Sequence, residues 1–380
     1  MSTPLLSTAA VQDTSSNSHN LADYPSSHDP ATLIKRGFCP VGQSRGDVKG
    51  TRLYYELHGN DGMKERTKRM VFIMGLSNSS FAWHAQLPYF ARLPSYSVLV
   101  LDNRGVGYSS SPTSSSSLLG ASGTRYSTKQ MAEDTKEVLQ HLGWVEGDEE
   151  LQKQKEGEGE GKVKRTLNVV GISMGGMIAQ ELALLLPHSL LTLLLTSTKP
   201  SSRSSLLPFL PSPSALLPSR KATSMIVKQT LGLVKSPEDQ MKGVVEVLFP
   251  GEWLEEREEE DGEGKGKGRT RREVLEEEFL ARYHFGKRQT PAGRIGQTAA
   301  VLSHHLSSSR LLRLSQALPK GRVHIVHGER DELIDVREGK RLCEGVPDST
   351  LTLVPLGGHA LPRQITERYN EWIRERVEAE

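Results

Sequence analysis

Four short runs, residues 69–75 (RMVFIMG), 96–102 (YSVLVLD), 167–173 (LNVVGIS) and 322–328 (RVHIVHG), are almost wholly apolar at their centres. A strand with apolar side chains on both faces is covered on both faces, the situation of a parallel sheet sandwiched between helices. Between the second and third runs, residues 128–144 place Met131, Val138, Leu139 and Leu142 at helical spacing, which predicts a crossover helix. Apolar runs alternating with helical patterns are the signature of βαβ units. The predicted class is therefore α/β, a mostly parallel central sheet flanked by helices. From residue 198 to 320 the strand runs vanish, and helical pieces with Pro- and Ser-rich joints replace them. That predicts an inserted helical lid over 198–320, with the core occupying 47–197 and 321–380. Residues 1–46 read as a disordered polar tail. Two charged, glycine-rich stretches, 146–165 in the core and 255–272 in the lid, bury too little apolar surface to offset the cost of ordering and read as surface loops.

Composition excludes several classes of function. The formal net charge is +2 and the basic residues are dispersed, so nothing points to nucleic acid. The most apolar stretch, 182–195, is interrupted by Pro187, His188 and Ser189, short of the roughly 18 continuous residues of a membrane helix. With only Cys39 and Cys343, and neither in a metal-ligand spacing, no disulfide framework, metal or cofactor is expected, and the reading is a cytoplasmic protein. The N-terminal residues show neither a basic segment nor a continuous apolar one, so no secretory signal is expected.

Chemistry concentrates at Gly171-Ile172-Ser173-Met174-Gly175, a G-x-S-x-G between the strand LNVV and the helical run MGGMIAQELALLL. A serine at a strand-to-helix corner stands on a sharp turn, and the flanking glycines are needed because a Cβ there would collide with the neighbouring strand and helix. The helix below it offers unpaired N–H groups. A serine hydroxyl attacks only when a base takes its proton, and that base needs a carboxylate to hold it in one tautomer. His359, which ends a strand and a Gly-Gly turn (LVPLGGH), is the candidate base. His141, His304, His305 and His327 are weaker rivals on a helix, in the lid and at a strand end. Asp331, on the loop ERDELID after the last apolar run, is the candidate acid, with Asp335 second and equally suited to capping a helix that begins near Val336.

Serine, acid and histidine in this chain order resemble the α/β-hydrolase superfamily, as do the G-x-x-D loop Gly328-Glu329-Arg330-Asp331 and the segment Asp102-Asn103-Arg104-Gly105-Val106-Gly107-Tyr108-Ser109. The resemblance spans about residues 50–197 and 322–372, and it implies the α/β-hydrolase fold. It further implies that the backbone N–H groups of Leu76 and Met174 form an oxyanion hole. Where many members carry His-Gly, this chain has Met74-Gly75-Leu76, a change that leaves backbone donors intact. Ser-Met-Gly-Gly is most similar to carboxylesterases, monoacylglycerol lipases and cofactor-free haloperoxidases. The implied activity is hydrolysis of a carboxylic ester, thioester or lactone of a small acyl substrate through an acyl-enzyme. Peptidase or perhydrolase chemistry, or binding without catalysis, are the alternatives. Gln297, Val301 and His304 share one helical face, which places Gln297 and His304 as candidate substrate contacts. Phe249, Trp253, Phe279, Tyr283 and Phe285 read as lid packing ahead of pocket lining.

Overall fold

All four apolar runs form strands, and the even and odd residues of each face different helices. The computed structural model describes residues 21–45, 51–60, 67–109, 125–146, 165–202, 236–257 and 268–379, with 219, 224 and 234 singly. Eight strands make one sheet in the order β1-β2-β4-β3-β5-β6-β7-β8. They are β1 (Leu33–Pro40), β2 (Arg52–Gly59), β3 (Lys68–Ile73), β4 (Tyr96–Leu101), β5 (Leu167–Ile172), β6 (Leu190–Thr196), β7 (Val323–Gly328) and β8 (Thr350–Val354). The β1–β2 and β2–β4 pairs are antiparallel and the other five are parallel.

On one face Met70, Phe72, Val98, Val100, Val170 and Leu194 pack against α1 (Gln86–Ala91) and the C-terminal helix. On the other, Val71, Ile73, Leu99, Val169 and Leu195 pack against α2 (Thr128–His141) and α3 (Met174–Leu185). The crossover helix expected over 128–144 starts at a capping box between Ser127 and Gln130, and it ends where Gly143 takes a positive φ of 66°. Helix α3 is buried nearly all round because it lies between the sheet and other helices.

Residues 21–45 correct the tail expected over 1–46. Residues 33–40 are edge strand β1, paired antiparallel to β2. Its Lys35 and Arg36 mask the strand pattern, yet Arg36 donates to the carbonyls of Leu21 and Tyr24 and ties the preceding segment down. Strand β2 carries buried Glu56 and His58, which bond each other, and Ser26 and Thr32 join the same network from the preceding segment.

Between β6 and β7 the described residues include α4 (Pro237–Leu248), a single turn at Gly251–Leu254, α5 (Arg271–Phe285), α6 (Pro291–Ser303) and α7 (Ser308–Ala317). Val245, Phe249, Leu254 and Leu275 form a separate small core there. The insertion is narrower than expected. Its two ends meet where Ser201 bridges His305 and Ser202 N–H donates to the His304 carbonyl. Helix α7 belongs to the main core instead, because Leu311, Leu314 and Ala317 repeat at helical spacing and share a cluster with Ile178 and Leu182 of α3. The charged stretch at 255–272 is ordered at its ends, where Glu255 and Glu256 pair with Arg272 and Arg271 at the start of α5. Its middle, 258–267, and 147–164 of the other charged stretch lie outside the described residues. The rest of the core is α8 (Val336–Gly345) and the C-terminal helix α9 (Thr366–Glu378). Among the described residues no helix is long and apolar enough to cross a membrane.

Arg104, in the loop after β4, makes two 2.6 Å bonds to Asp134 of α2, and both side chains are buried. Removing one partner of such a pair strands the other charge. Asp134→Ala is therefore expected to lower unfolding free energy by about 3–5 kcal/mol. Urea denaturation checks this, and a loss under about 1 kcal/mol would show that the pair does not hold the loop.

Candidate active site

Ser173 joins β5 to α3 with φ 56° and ψ −122°, a backbone region that serine rarely adopts. The corner leaves no room for more atoms. A Cβ at Gly171 would run into the Gly175 backbone, and one at Gly175 into the Ile73 carbonyl of β3. The Ser173 N–H donates to the Thr196 carbonyl at 2.9 Å, and its own carbonyl accepts from Thr198 Oγ1 at 2.7 Å. Its hydroxyl does not cap α3 and, among the described residues, bonds no other side chain, so it stands unengaged at the carboxyl edge of the sheet.

Asp331 and His359 meet at that same edge, two strands away. The Asp331 carboxylate is fully buried. Oδ1 accepts from the N–H groups of Leu333 (2.8 Å) and Ile334 (2.9 Å), and Oδ2 accepts from His359 Nδ1 at 2.8 Å. Burial alone would raise this carboxyl's pKa. The charge of His359 and the hydrogen bonds of both His327 and His359 outweigh burial and hold it well below the ordinary carboxylate range. An ionised Asp331 requires the proton on His359 Nδ1, which leaves Nε2 as the basic nitrogen.

The histidine loop is fastened on three sides. Arg330 N–H reaches the Gly357 carbonyl (2.8 Å), Gly358 N–H reaches Gln364 Oε1 (2.7 Å), and His359 N–H reaches the Leu248 carbonyl at the end of α4 (2.9 Å). A Cβ on Gly358 would strike that Leu248 carbonyl, so the glycine lets helix α4 press onto the loop. Asp335 takes no part. It caps α8 through the Arg337 N–H at 2.9 Å and pairs with the Arg337 side chain.

On the other flank, Gly75 is so close that a Cβ there would sit 3.1 Å from Ser173 Cβ and 3.6 Å from its Oγ. The following residues, Leu76 and Ser77, thus pass beside the serine, and Met174 supplies the first N–H of α3. Ser77 has a positive φ of 61° and its N–H donates to Gln297 Oε1 at 2.9 Å. Gln297 also accepts from Gln289 (2.9 Å) and donates to the Arg104 carbonyl (3.1 Å). Fully buried and engaged by all three, Gln297 braces the Leu76–Ser77 backbone and is not a free substrate contact. His304 is likewise removed from the site. It is buried against Thr128 Oγ1 (2.9 Å) at the neck of the insertion, and burial, helped by Lys199 and Arg310, pushes its pKa down to about 3. The helical face predicted for this pair is taken up by α2, the loop after β4 and the Ser77 backbone, through His304–Thr128, Gln297–Arg104 and Gln297–Ser77. Phe249 and Trp253 stack on each other at 5.3 Å in the insertion's own core with Phe279, Tyr283 lies under Arg288, and half-exposed Phe285 meets Phe81.

One contact was not anticipated. His327, at the end of β7, lies 3.3 Å from Asp331 Oδ2 through Nε2, which also donates to the Ile334 carbonyl at 2.8 Å. Its place, four residues before Asp331 at a strand end, was the available signal.

A strained serine corner after a central parallel strand, with a carboxylate–histidine pair on the loops after the second and third strands beyond it, settles the architecture. The chain has the α/β-hydrolase fold. A family model described as "alpha/beta hydrolase fold" matches residues 68–146. Solved structures similar to this chain include a hydrolase from Pseudomonas aeruginosa PA01 (20% identity, 91% of this chain and 99% of that one, TM-score 0.60). A thermophilic esterase from Thermogutta terrifontis (18%, 91% and 100%, 0.59) and a bromoperoxidase from Bacillus anthracis (18%, 91% and 100%, 0.59) are also similar. No curated protein sequence matches significantly.

The two acids of this loop have different partners, His359 for Asp331 and Arg337 for Asp335. Asp331→Asn is expected to keep the fold and cut turnover of an activated ester by roughly 10⁴, because an amide cannot stabilise the imidazolium and favours the wrong tautomer. Asp335→Ala should keep turnover and cost about 1 kcal/mol as a lost cap. Turnover and thermal melts of the two variants check this, and the reverse pattern would reassign the acid.

Proposed function

We propose that this chain is a serine hydrolase that cleaves a carboxylic ester through an acyl-enzyme, with Ser173, His359 and Asp331 as nucleophile, base and orienting acid. The observation that carries the reading is the 2.8 Å His359 Nδ1–Asp331 Oδ2 bond on loops that share the sheet edge with the Ser173 corner. In the proposed reaction His359 Nε2 takes the Ser173 proton while Oγ bonds to the acyl carbon, and the carbonyl becomes an oxyanion facing the N–H groups of Leu76 and Met174. Each such donor is worth about 10²–10³ in rate. Collapse breaks the bond to the alkoxide, which leaves with the proton from His359. Water then gives its proton to His359, attacks the acyl-enzyme and frees the acid, and the proton returns to Ser173. No step needs a metal or organic cofactor.

The ester preference is supported by the Ser-Met-Gly-Gly form of the corner and by the esterases among the similar folds. The similarity to a bromoperoxidase favours a second use of the same acyl-enzyme, in which hydrogen peroxide takes the place of water and a peracid leaves. The free thiols of Cys39 and Cys343 accord with a cytoplasmic setting.

Ser173→Ala is expected to melt at the wild-type temperature while losing fluorophosphonate labelling and roughly 10⁴ or more in turnover across p-nitrophenyl esters of increasing acyl length. Undiminished turnover in this variant would place the nucleophile elsewhere.

A further inference from the structure

We propose, on the basis of the triad reading above, that His327 is a positioning residue that shares Asp331 with His359 and thereby sets how strongly the acid holds the charged base. Four donors surround this carboxylate. Two backbone N–H groups, from Leu333 and Ile334, occupy Oδ1. The other oxygen, Oδ2, faces two imidazoles: His359 Nδ1 at 2.8 Å and His327 Nε2 at 3.3 Å. His327 Nε2 also lies 2.8 Å from the Ile334 carbonyl, which can only accept, so that nitrogen carries a proton; the N–H is directed at the carbonyl, and Asp331 Oδ2 stands 3.3 Å away as a longer electrostatic contact. The ring is fully buried and has no route to water as an alternative partner. Its other side is closed by α8, where Gly339 leaves so little room that a Cβ would stand 2.5 Å from His327 Nδ1.

Both imidazoles draw on the same oxygen. A hydrogen bond to the ionised form of a carboxylate stabilises that form and disperses its charge. The N–H of His327 therefore keeps Asp331 from taking the proton of His359, and it limits how tightly Asp331 holds the imidazolium. Of the other charged groups near the loop, Asp335 pairs with Arg337, Arg330 lies 3.9 Å from Glu252 with both side chains exposed, Glu338 of α8 lies 3.6 Å from Arg341, Glu329 is exposed and Glu332 is half-buried. The two histidines are the side chains that face Oδ2.

The experiment measures the second-order rate of fluorophosphonate labelling against pH for the wild-type protein, His327→Leu and His327→Gln, with a thermal melt of each. In His327→Leu the carboxylate has one donor fewer, so it holds the protonated base more tightly. The ascending limb of the profile is expected to move to higher pH by roughly half a unit or more. His327→Gln restores an N–H donor near the position of Nε2, and its limb should stay with the wild type. His327→Asn, polar but too short to reach Oδ2, should move the limb as Leu does and serves if the Leu variant does not fold. A limb unmoved in the Leu or Asn variant, even with a lower melting temperature, confines His327 to anchoring the Ile334 carbonyl and overturns the proposal alone. A wild-type protein that takes no label overturns the hydrolase reading and this inference with it.

Discussion

Serine held at φ 56° and ψ −122° costs the backbone on the order of 1–3 kcal/mol, and the rest of the site is arranged around that corner. The strain persists because the surroundings leave no alternative. Strand β5 is hydrogen-bonded on both sides, α3 is buried nearly all round, and the Ser173 peptide is bonded to β6 through Thr196 and Thr198. The packing is so close that a Cβ at Gly171 would meet the Gly175 backbone and one at Gly175 the Ile73 carbonyl of β3. The same crowding brings Gly75 against Ser173, so one constraint places both the hydroxyl and the loop that carries Leu76.

Around the corner, buried polar groups hold the loops together with the apolar contacts of Met74, Phe81 and Tyr108. Asp102 in the loop after β4 accepts from Ser80 and Tyr108, Asn103 holds the Met74 carbonyl, and Gln297 ties Ser77 to Arg104. Unmade, each of these would leave a buried donor or acceptor that costs about 1–3 kcal/mol, so the loops have few other arrangements open to them. The helical insertion takes part in this. Helix α6 reaches the Leu76–Ser77 side through Gln297, and α4 reaches the His359 loop through the Leu248 carbonyl. A second contact lies further out, where Glu278 of α5 sits 2.7 Å from Arg363 and 3.4 Å from His84. The insertion is thus bonded to both flanks of Ser173.

Much of this could be read from the chain because the informative features are local. The serine corner needs only β5, five residues and α3, all contiguous, and Asp331 was separable from Asp335 by its distance from the end of β7. What failed depended on contacts distant in sequence. Gln297 and His304 share a helical face as expected, but what that face meets is fixed by how α6 crosses α2, which spacing along α6 does not encode. Strand β1 was hidden because an edge strand tolerates Lys35 and Arg36, and its hydrogen bonds come from β2 rather than from its own pattern. Helix α7 was assigned to the lid because nothing in its amphipathic stripe says which of two cores it faces. His327 read as a strand residue, and its contact with Asp331 needed the turn of the loop that follows.

The central claim is that Ser173, the Leu76 and Met174 N–H groups and the Asp331–His359 pair converge on one reacting atom. A crystal structure of the protein treated with a fluorophosphonate tests it most directly. The account predicts phosphorus bonded to Ser173 Oγ, with the phosphoryl oxygen about 2.7–3.1 Å from both the Leu76 and Met174 nitrogens. An adduct on another residue, or a phosphoryl oxygen turned to solvent and out of reach of both N–H groups, would contradict it.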